Sequence, residues 1–345
     1  MLSPTLSSVQ PAEKLRVLLF LAFLVAVYAL AAVTLVRRFR GRSAERSRRW
    51  RSIGNLAVVL AVLGLPCFYY GWRIEPFWPE VTRIPITTDK LAPGESAIRV
   101  VHLSDLHSER RERLEPILPR LVAALRPDII VFTGDAINGL DGLPTFKRCL
   151  GQLATIAPTF AVRGNWDAWY FPQADLFGGT RAHELDGEIA PVLLPSGRTV
   201  FLAGISVRHE ARLGAMLSRL PAHELSLFLF HYPDLIESVR ESSVDLYCAG
   251  HTHGGEVALP LYGALVTFSA FGKKYESGLF QEGATAMYVN RGIGMEGGPV
   301  PRVRFLARPE ITLYEISPAV ALAHSSRTGS GGVTAATSTS PLRIR

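Results

Sequence analysis

Three observations predict an α/β body carried behind a transmembrane helical hairpin. Two long apolar runs stand near the N-terminus, short β-branched runs then alternate with helical patterns, and metal-ligating residue types follow several of those runs.

The first apolar run, Val17 to Val36, has twenty residues without a charge, and a helix needs about 20 to cross a hydrocarbon core of ~30 Å. The second, Ile53 to Trp72, carries Asn55 as its one strongly polar side chain. It ends in Phe68, Tyr69, Tyr70 and Trp72, rings that favour the membrane interface. Between the runs, residues 37–52 hold eight arginines against one glutamate, and short loops this basic stay in the cytoplasm. The expectation is an N-terminal segment 1–16, then a hairpin over 17–72 that makes the chain a multi-pass protein of the cell (inner) membrane. Its catalytic body lies on the extracytoplasmic side. A signal peptide cut after Ala29-Leu30-Ala31 would have the right small residues, but the apolar run exceeds the roughly 7–15 residues of such a leader.

Charge narrows the partners. The chain carries +7, yet residues 1–52 hold ten Lys/Arg against Glu13 and Glu45, and the remainder has 27 basic and 28 acidic residues. A body so near neutrality has no electrostatic footprint for a phosphate polymer, so no polymeric nucleic acid is expected as a partner. Cys67, Cys149 and Cys248 show no CxxC spacing, which excludes a disulfide framework and a zinc-thiolate site.

Residues 73–97 are Pro-rich and without period, and read as an extended linker. From 98 the texture changes. Strands are expected at Ile98–Leu103, Asp128–Phe132, Thr159–Val162, Val200–Ala203, Leu225–Phe230 and Val244–Cys248, with later ones at Ala286–Asn290 and Ile311–Ile316. Helical patterns at Leu114–Leu125, Phe146–Ala154, Leu213–Leu220 and Leu235–Val239 alternate with them, as in a sheet covered by helices. The body is thus 98–316. Residues 317–345 are small, polar and repetitive, and read as a disordered tail.

The chemistry follows the strands. Asp105-Leu106-His107 comes after the first, Gly134-Asp135 after the second and Gly164-Asn165 after the third, thirty residues apart. Later strands are followed by His231 and by Gly250-His251-Thr252-His253-Gly254-Gly255. Open α/β sheets place their sites at these strand ends. Imidazole, carboxylate and amide oxygen together suit a pair of divalent transition metals, and a hydroxide between two such ions can attack phosphorus in line.

In these blocks, D-x-H, G-D, G-N, H and G-H-x-H, the sequence resembles the calcineurin-like metallophosphoesterase superfamily over roughly Ile98 to Ile316. GHTHGGEVALP, Gly272-Lys273-Lys274-Tyr275 and ARPEITL look like its membrane-associated branch of YkuE- and YaeI-type phosphohydrolases. The resemblance implies an αββα sandwich of two sheets and two divalent ions, Mn, Fe, Zn or similar. Asp105, His107 and His253 would hold one ion, Asn165, His231 and His251 the other, and Asp135 would bridge them. Asp135, Asn165 and His231 are the candidate catalytic residues, and Trp166, Lys273, Lys274 and Arg291 the candidate substrate contacts. The expected activity is hydrolysis of phosphoester or diphosphate bonds in a phosphorylated small molecule or lipid, by metal-hydroxide attack at the bilayer.

One position departs from the family pattern. Where the family has G-N-H-D, this chain has Gly164-Asn165-Trp166-Asp167, and an indole cannot supply a proton at neutral pH. Substrates whose leaving group departs unaided, diphosphates and aryl esters, are therefore expected over alkyl monoesters. The rival classes are a metal-binding pseudoenzyme or membrane scaffold that lost turnover with that histidine, and a cyclic-nucleotide or nucleotide phosphodiesterase. Asp167 is expected to support its loop, His102 to pack, and Trp166, Trp169, Tyr170 and Phe171 to form a small satellite core, an apolar wall for an acyl chain or nucleobase, or a contact with the bilayer.

Overall fold

The computed structural model describes residues 9–41, 47–297, 301–319 and 342–344. Two helices come first, α1 (Pro11–Phe39) and α2 (Arg48–Arg73). Pro11 opens α1, where its missing N–H costs no helical bond. Both helices are long and apolar enough to cross a membrane. They pack on small side chains: Ala31, Ala57 and Ala61 are buried together, and a Cβ on Gly54 would lie 2.4 Å from Thr34 Oγ1. Close approach at small residues is how helices associate in lipid, where apolar surface alone selects no partner. The helices overrun the expected spans and take in Arg37, Arg38 and the arginines from Arg48. Arginine is a good helix former, and its charge suits the C-terminal end of α1. Residues 42–46 of the basic loop fall outside the described residues.

The body follows as β1 (Glu80–Thr88), β2 (Ile98–Leu103), α3 (Leu118–Leu125), β3 (Ile129–Phe132), α4 (Leu143–Leu153), β4 (Thr159–Ala161), α5 (Asn165–Tyr170), β5 (His183–Glu184), β6 (Glu188–Leu193) and β7 (Thr199–Gly204). Then come α6 (Leu213–Leu217), β8 (Ser226–Leu229), α7 (Ile236–Val239), β9 (Leu246–Ala249) and a short hairpin, β10 (Ala258–Leu259) and β11 (Gly263–Ala264). The chain closes with β12 (Gly278–Glu282), β13 (Thr285–Val289), β14 (Glu310–Pro318) and β15 (Leu342–Ile344). One sheet has seven strands in the order β15-β1-β14-β2-β3-β4-β5, the other six in the order β12-β13-β9-β8-β7-β6.

The two-residue period of the strands makes the layers. Val100, Ile129 and Val131 point between the sheets, whereas Val101, Ile130 and Phe132 meet Leu118, Val122, Phe146 and Leu150 of α3 and α4. In the second sheet Leu227, Leu229, Leu246 and Cys248 face the first. Phe228, Tyr247 and Met287 pack outward on Met216, Ile236 and Val239 of α6 and α7. The architecture is the expected helix, sheet, sheet, helix sandwich.

Two expectations are corrected. The segment 73–97, read as linker, contains β1, which pairs in parallel with the whole of β14. Pro85 spoke against a strand, but the outer side of β1 is paired only at 86–88, so the missing N–H interrupts no ladder. The tail read from 317 onward starts inside β14, and 342–344 pair with β1, burying Ile344 in the intersheet core. Residues 320–341 fall outside the described residues.

Candidate metal centre

The parallel strands β2, β3, β4, β8 and β9 end on one side of the sandwich, and the loops leaving them carry all seven ligand candidates. Asp105, His107 and His253 offer atoms within 4.8 Å of one another, and so do Asp135, His231 and His251. All six are buried. The two groups touch: Asp135 Oδ2 lies 3.2 Å from His231 Nε2 and 3.6 Å from His107 Nε2. A carboxylate facing both groups is placed to bridge two cations.

The donor set passes a direct test of fit. Asp105 Oδ1, Asn165 Oδ1 and His231 Nε2 are buried with no hydrogen-bond partner, although burying a polar atom unpaired costs about 1–3 kcal/mol. His107 Nε2 and His253 Nε2 stand 3.3 Å apart, and His253 Nε2 is 3.4 Å from Asp105 Oδ1. Such crowding of lone pairs is what cations would relieve. Other contacts set the ring orientations. His231 Nδ1 donates to the Thr133 carbonyl (2.6 Å) and His107 Nδ1 to Asn138 Oδ1 (2.8 Å), which turns both Nε2 atoms inward.

Electrostatics agree. Burial holds His107 down to about 4 and His251 to about 3, so both are neutral imidazoles. His231 is the exception: burial opposes its charge, but the Asp135 and Asp105 carboxylates raise it to about 9. Without a cation, the site draws a proton to that position.

Backbone conformation is unusual at the same place. Asp105, His107, Asp135, His251 and His253 all have positive φ, between 44° and 71°. Left-handed non-glycine residues cost about 1 kcal/mol or more each, and such strain concentrates at functional sites. Neighbouring glycines allow the crowding: a Cβ on Gly250 would lie 1.9 Å from Ser104 Oγ, and one on Gly164 2.2 Å from Asp135 Oδ1.

Asp167 supports the loop, as expected. Its carboxylate accepts from the amides of Asp135 (2.9 Å), Ala136 (2.9 Å) and Gly164 (3.0 Å), linking the β3 and β4 loops. His102 packs, held by Tyr314 Oη and Thr133 Oγ1 at 2.8 Å each.

The cavity over these donors is lined by Asp135, Asn165, Trp166, His251, His253, Phe268 and Glu296. Trp166 is therefore at the site; its ring meets His107 edge to face and packs on Tyr170. The other three substrate candidates are not among the lining residues. Lys273 pairs with Glu276, Lys274 with Glu282, and Arg291 with Glu310 and Glu80. These ion pairs occupy their charges elsewhere. Phe268 and Glu296 escaped the sequence reading because each sits in a loop at no motif spacing; the one signal is the glycine pair after Glu296.

The helix ends reach the rim of the cavity. The buried carboxylate of Glu13, in the first turn of α1, accepts from Thr267 N and Oγ1 at 2.9 Å each. Gln10 Nε2 donates to the carbonyls of Ser269 and Ala270. At the end of α2, Gly71 O accepts from Arg304 N, and Glu75 accepts from the amides of Leu306 and Ala307.

Comparison with known proteins agrees with this geometry. The calcineurin-like phosphoesterase family matches residues 98–255. The chain is 31% identical to the metallophosphoesterase YkuE of Bacillus subtilis over 262 residues, 72% of this chain and 88% of that protein. It is 31% identical to the phosphodiesterase YaeI of Escherichia coli over 269 residues, 72% of this chain and 92% of that protein. The UDP-2,3-diacylglucosamine pyrophosphatase LpxG of Chlamydia trachomatis is 24% identical over 323 residues, 76% of this chain and 97% of that protein. Identity at this level over most of both chains, on a fold with two buried His/Asp groups suited to a binuclear site, makes this chain a calcineurin-like metallophosphoesterase, a metal-dependent phosphoric ester hydrolase that works with two divalent cations.

Proposed function

We propose that this phosphohydrolase is anchored in the membrane by α1 and α2 and cleaves a phosphoester or diphosphate bond in a lipid-linked substrate. The observation that carries the reading is the bonding of α1 to the rim: Glu13 and Gln10 hold residues 267–270, and Phe268 within that segment lines the cavity. A mouth built on the end of an apolar helix meets substrate in the bilayer at high effective concentration. LpxG is named for a diphosphate bond in a lipid, which supports the same class of substrate here. The basic loop between the helices favours a body on the extracytoplasmic side, and the near-neutral body argues against a nucleic-acid polymer.

The geometry supports the assigned roles. Asp105, His107 and His253 would hold one cation, Asn165, His231 and His251 the other, and the Asp135 carboxylate would face both. Two bound divalent ions supply Lewis-acid charge to the phosphoryl group and acidify water. The chain's own residues do the rest. Thr133 and Asn138 fix the imidazoles. Trp166 N donates to Asp135 Oδ1 at 2.8 Å, which leaves Oδ2 for the centre. Trp166 and Phe268 form apolar walls that limit water. A scaffold that holds no metal would not require buried, unpaired and strained donors.

The test uses the full chain in liposomes with Mn²⁺ and compares a lipid-linked diphosphate with its deacylated, water-soluble head group. The expected result is a kcat/KM at least about tenfold higher for the lipid form, in keeping with gains of 10²–10⁴ from effective concentration. Equal values for the two would remove the lipid part of the reading.

A further inference from the structure

Among the described residues, three apolar side chains sit on left-handed backbone: Leu261 (φ 63°), Phe268 (φ 56°) and Leu306 (φ 56°). That conformation is an outlier for bulky residues, and such strain collects where a chain works. Two of the three lie in segments bonded to the ends of the helices. Phe268 is in the segment held by Gln10 and Glu13, and Leu306 N donates to Glu75 just past α2. Leu261 is the tip of β10–β11, a two-stranded hairpin that joins neither large sheet. We propose that Leu261 and Leu306 dip into the lipid leaflet at the helix ends, so that the body meets the bilayer through a surface of its own. This rests on the membrane-anchored reading of α1 and α2 and adds a second contact to it.

The β10–β11 hairpin stands between the two helix ends. On one side Ala258 N donates to the Phe305 carbonyl at 2.8 Å, and the Phe305 ring meets Tyr70 of α2 edge to face. On the other, the Lys273 ammonium lies 4.4 Å over the Tyr262 ring, and a Cβ on Gly272 would stand 4.0 Å from Gln10 Oε1. In the anchored reading Gly71 marks the membrane level, because it falls between Tyr70 and Trp72, rings that prefer the interface. Its carbonyl accepts from Arg304 N at 2.8 Å. Leu306 is two residues further along, at most about 7 Å of chain, and Leu261 is three residues from Ala258, at most about 11 Å. Both leucines therefore stand within reach of the boundary between headgroups and acyl chains, where apolar protein surface is buried by about 5–10 Å.

Their surroundings suit that depth. Leu261 is fully exposed and Leu306 half-exposed. Residues 257–272 carry no charge, so entry of the hairpin tip takes no ion out of water. The polar rim comes from neighbouring arginines: Arg308 lies 4.2 Å over the Trp78 ring and Arg73 4.7 Å over the Trp72 ring. Such pairs keep ring and stem on the apolar side and leave a cation at the level of lipid phosphate. An exposed apolar patch with a polar rim marks an interaction surface. Because both helix ends flank it, a soluble partner would have to enter the headgroup layer to reach it, and lipid is the occupant that fits.

The experiment uses the full chain with Cys67→Ala, since Cys67 is exposed whereas Cys149 and Cys248 are buried. Four single variants, Leu261→Cys, Leu306→Cys, Leu21→Cys in α1 and Leu193→Cys on the edge strand β6, carry an NBD fluorophore in phosphatidylcholine liposomes with or without a doxyl-labelled phosphatidylcholine. The expected result is doxyl quenching at positions 21, 261 and 306 and none at 193. Quenching at 21 without quenching at 261 or at 306 would overturn this inference and leave the anchor standing. No quenching at 21 would overturn the anchored reading, and this inference with it. Equal quenching at 193 would mean undirected contact with lipid, and shielding of 261 from aqueous iodide without doxyl quenching would mean cover by a second copy of the chain; either would overturn the proposal.

Discussion

His102 shows how much a single buried imidazole contributes away from the metal ligands. It is fully enclosed between Tyr314 and Thr133, and burial lowers it to about 3 from an ordinary value near 6.5. The folded protein therefore keeps it neutral, and the unfolded chain gains a proton as pH drops below about 6.5. Its contribution to stability is present above that value and is lost progressively toward pH 3, at up to about 1.4 kcal/mol per pH unit. Between pH 7 and 5 the loss from this one residue is about 2 kcal/mol. His102→Gln removes the titration, so acidification from pH 7 to 5 should cost the variant about 2 kcal/mol less in chemical denaturation; equal costs would show that His102 is not responsible. The sequence placed His102 in packing because it lies inside a strand, while histidines just past strand ends were read as ligands. Residue position relative to the strand was the legible signal. The side-chain partner of Trp166 was not legible, because Glu296 lies 130 positions away with no spacing rule to join them.

Elements deliver the ligands through sharp turns, and each turn depends on a close approach of main chains. Gly134, between β3 and Asp135, has φ of 98°, and a Cβ there would lie 2.4 Å from Gly164 N and 2.6 Å from its Cα. Those are backbone atoms of the loop that carries Asn165, so neither can move without shifting a second ligand candidate. Gly134→Ala should leave the sheets folded, since β3 itself ends at Phe132, but should separate Asp135 from Asn165. The expected outcome is unchanged far-ultraviolet circular dichroism and a Mn²⁺ affinity at least about tenfold weaker, in the range seen when ligand supports are removed. Unaltered affinity would mean that the loops tolerate displacement. The buried strands β2, β3, β8, β9 and β13 were readable because both faces are covered and their sequences are continuous apolar runs. The strands β1, β6 and β12 each leave two or three residues exposed, and their pairing is a property of the whole sheet.

At the scale of the whole molecule the question is whether the helical hairpin stands apart from the body or forms a working wall of the site. A hairpin that stands apart would need no specific contact with the body. Instead, residues from both ends of the hairpin are bonded to loops beside the centre: Glu13 and Gln10 to 267–270, Gly71 and Glu75 to 304–307. Arg304 N donates to the Gly71 carbonyl, and its buried guanidinium approaches the carbonyl and ring of His253 at 3.4 Å, so one residue joins the end of α2 to a ligand candidate. Glu13 is the sharper test because its carboxylate is buried and serves two donors of Thr267. Glu13→Ala leaves that amide and hydroxyl without their acceptor, a cost of about 1–3 kcal/mol, confined to the rim segment that includes Phe268. Amide exchange at Thr267 should then speed up by about 5- to 150-fold, the same energy expressed as an opening equilibrium. Glu13→Gln, which keeps an acceptor oxygen, should recover most of the protection. In liposomes the alanine variant should lose turnover of a lipid-linked diphosphate while keeping that of p-nitrophenyl phosphate, because the seven donors keep their own supports. Unchanged exchange at Thr267, together with equal effects on the two substrates, would show that the hairpin has no part in shaping the mouth.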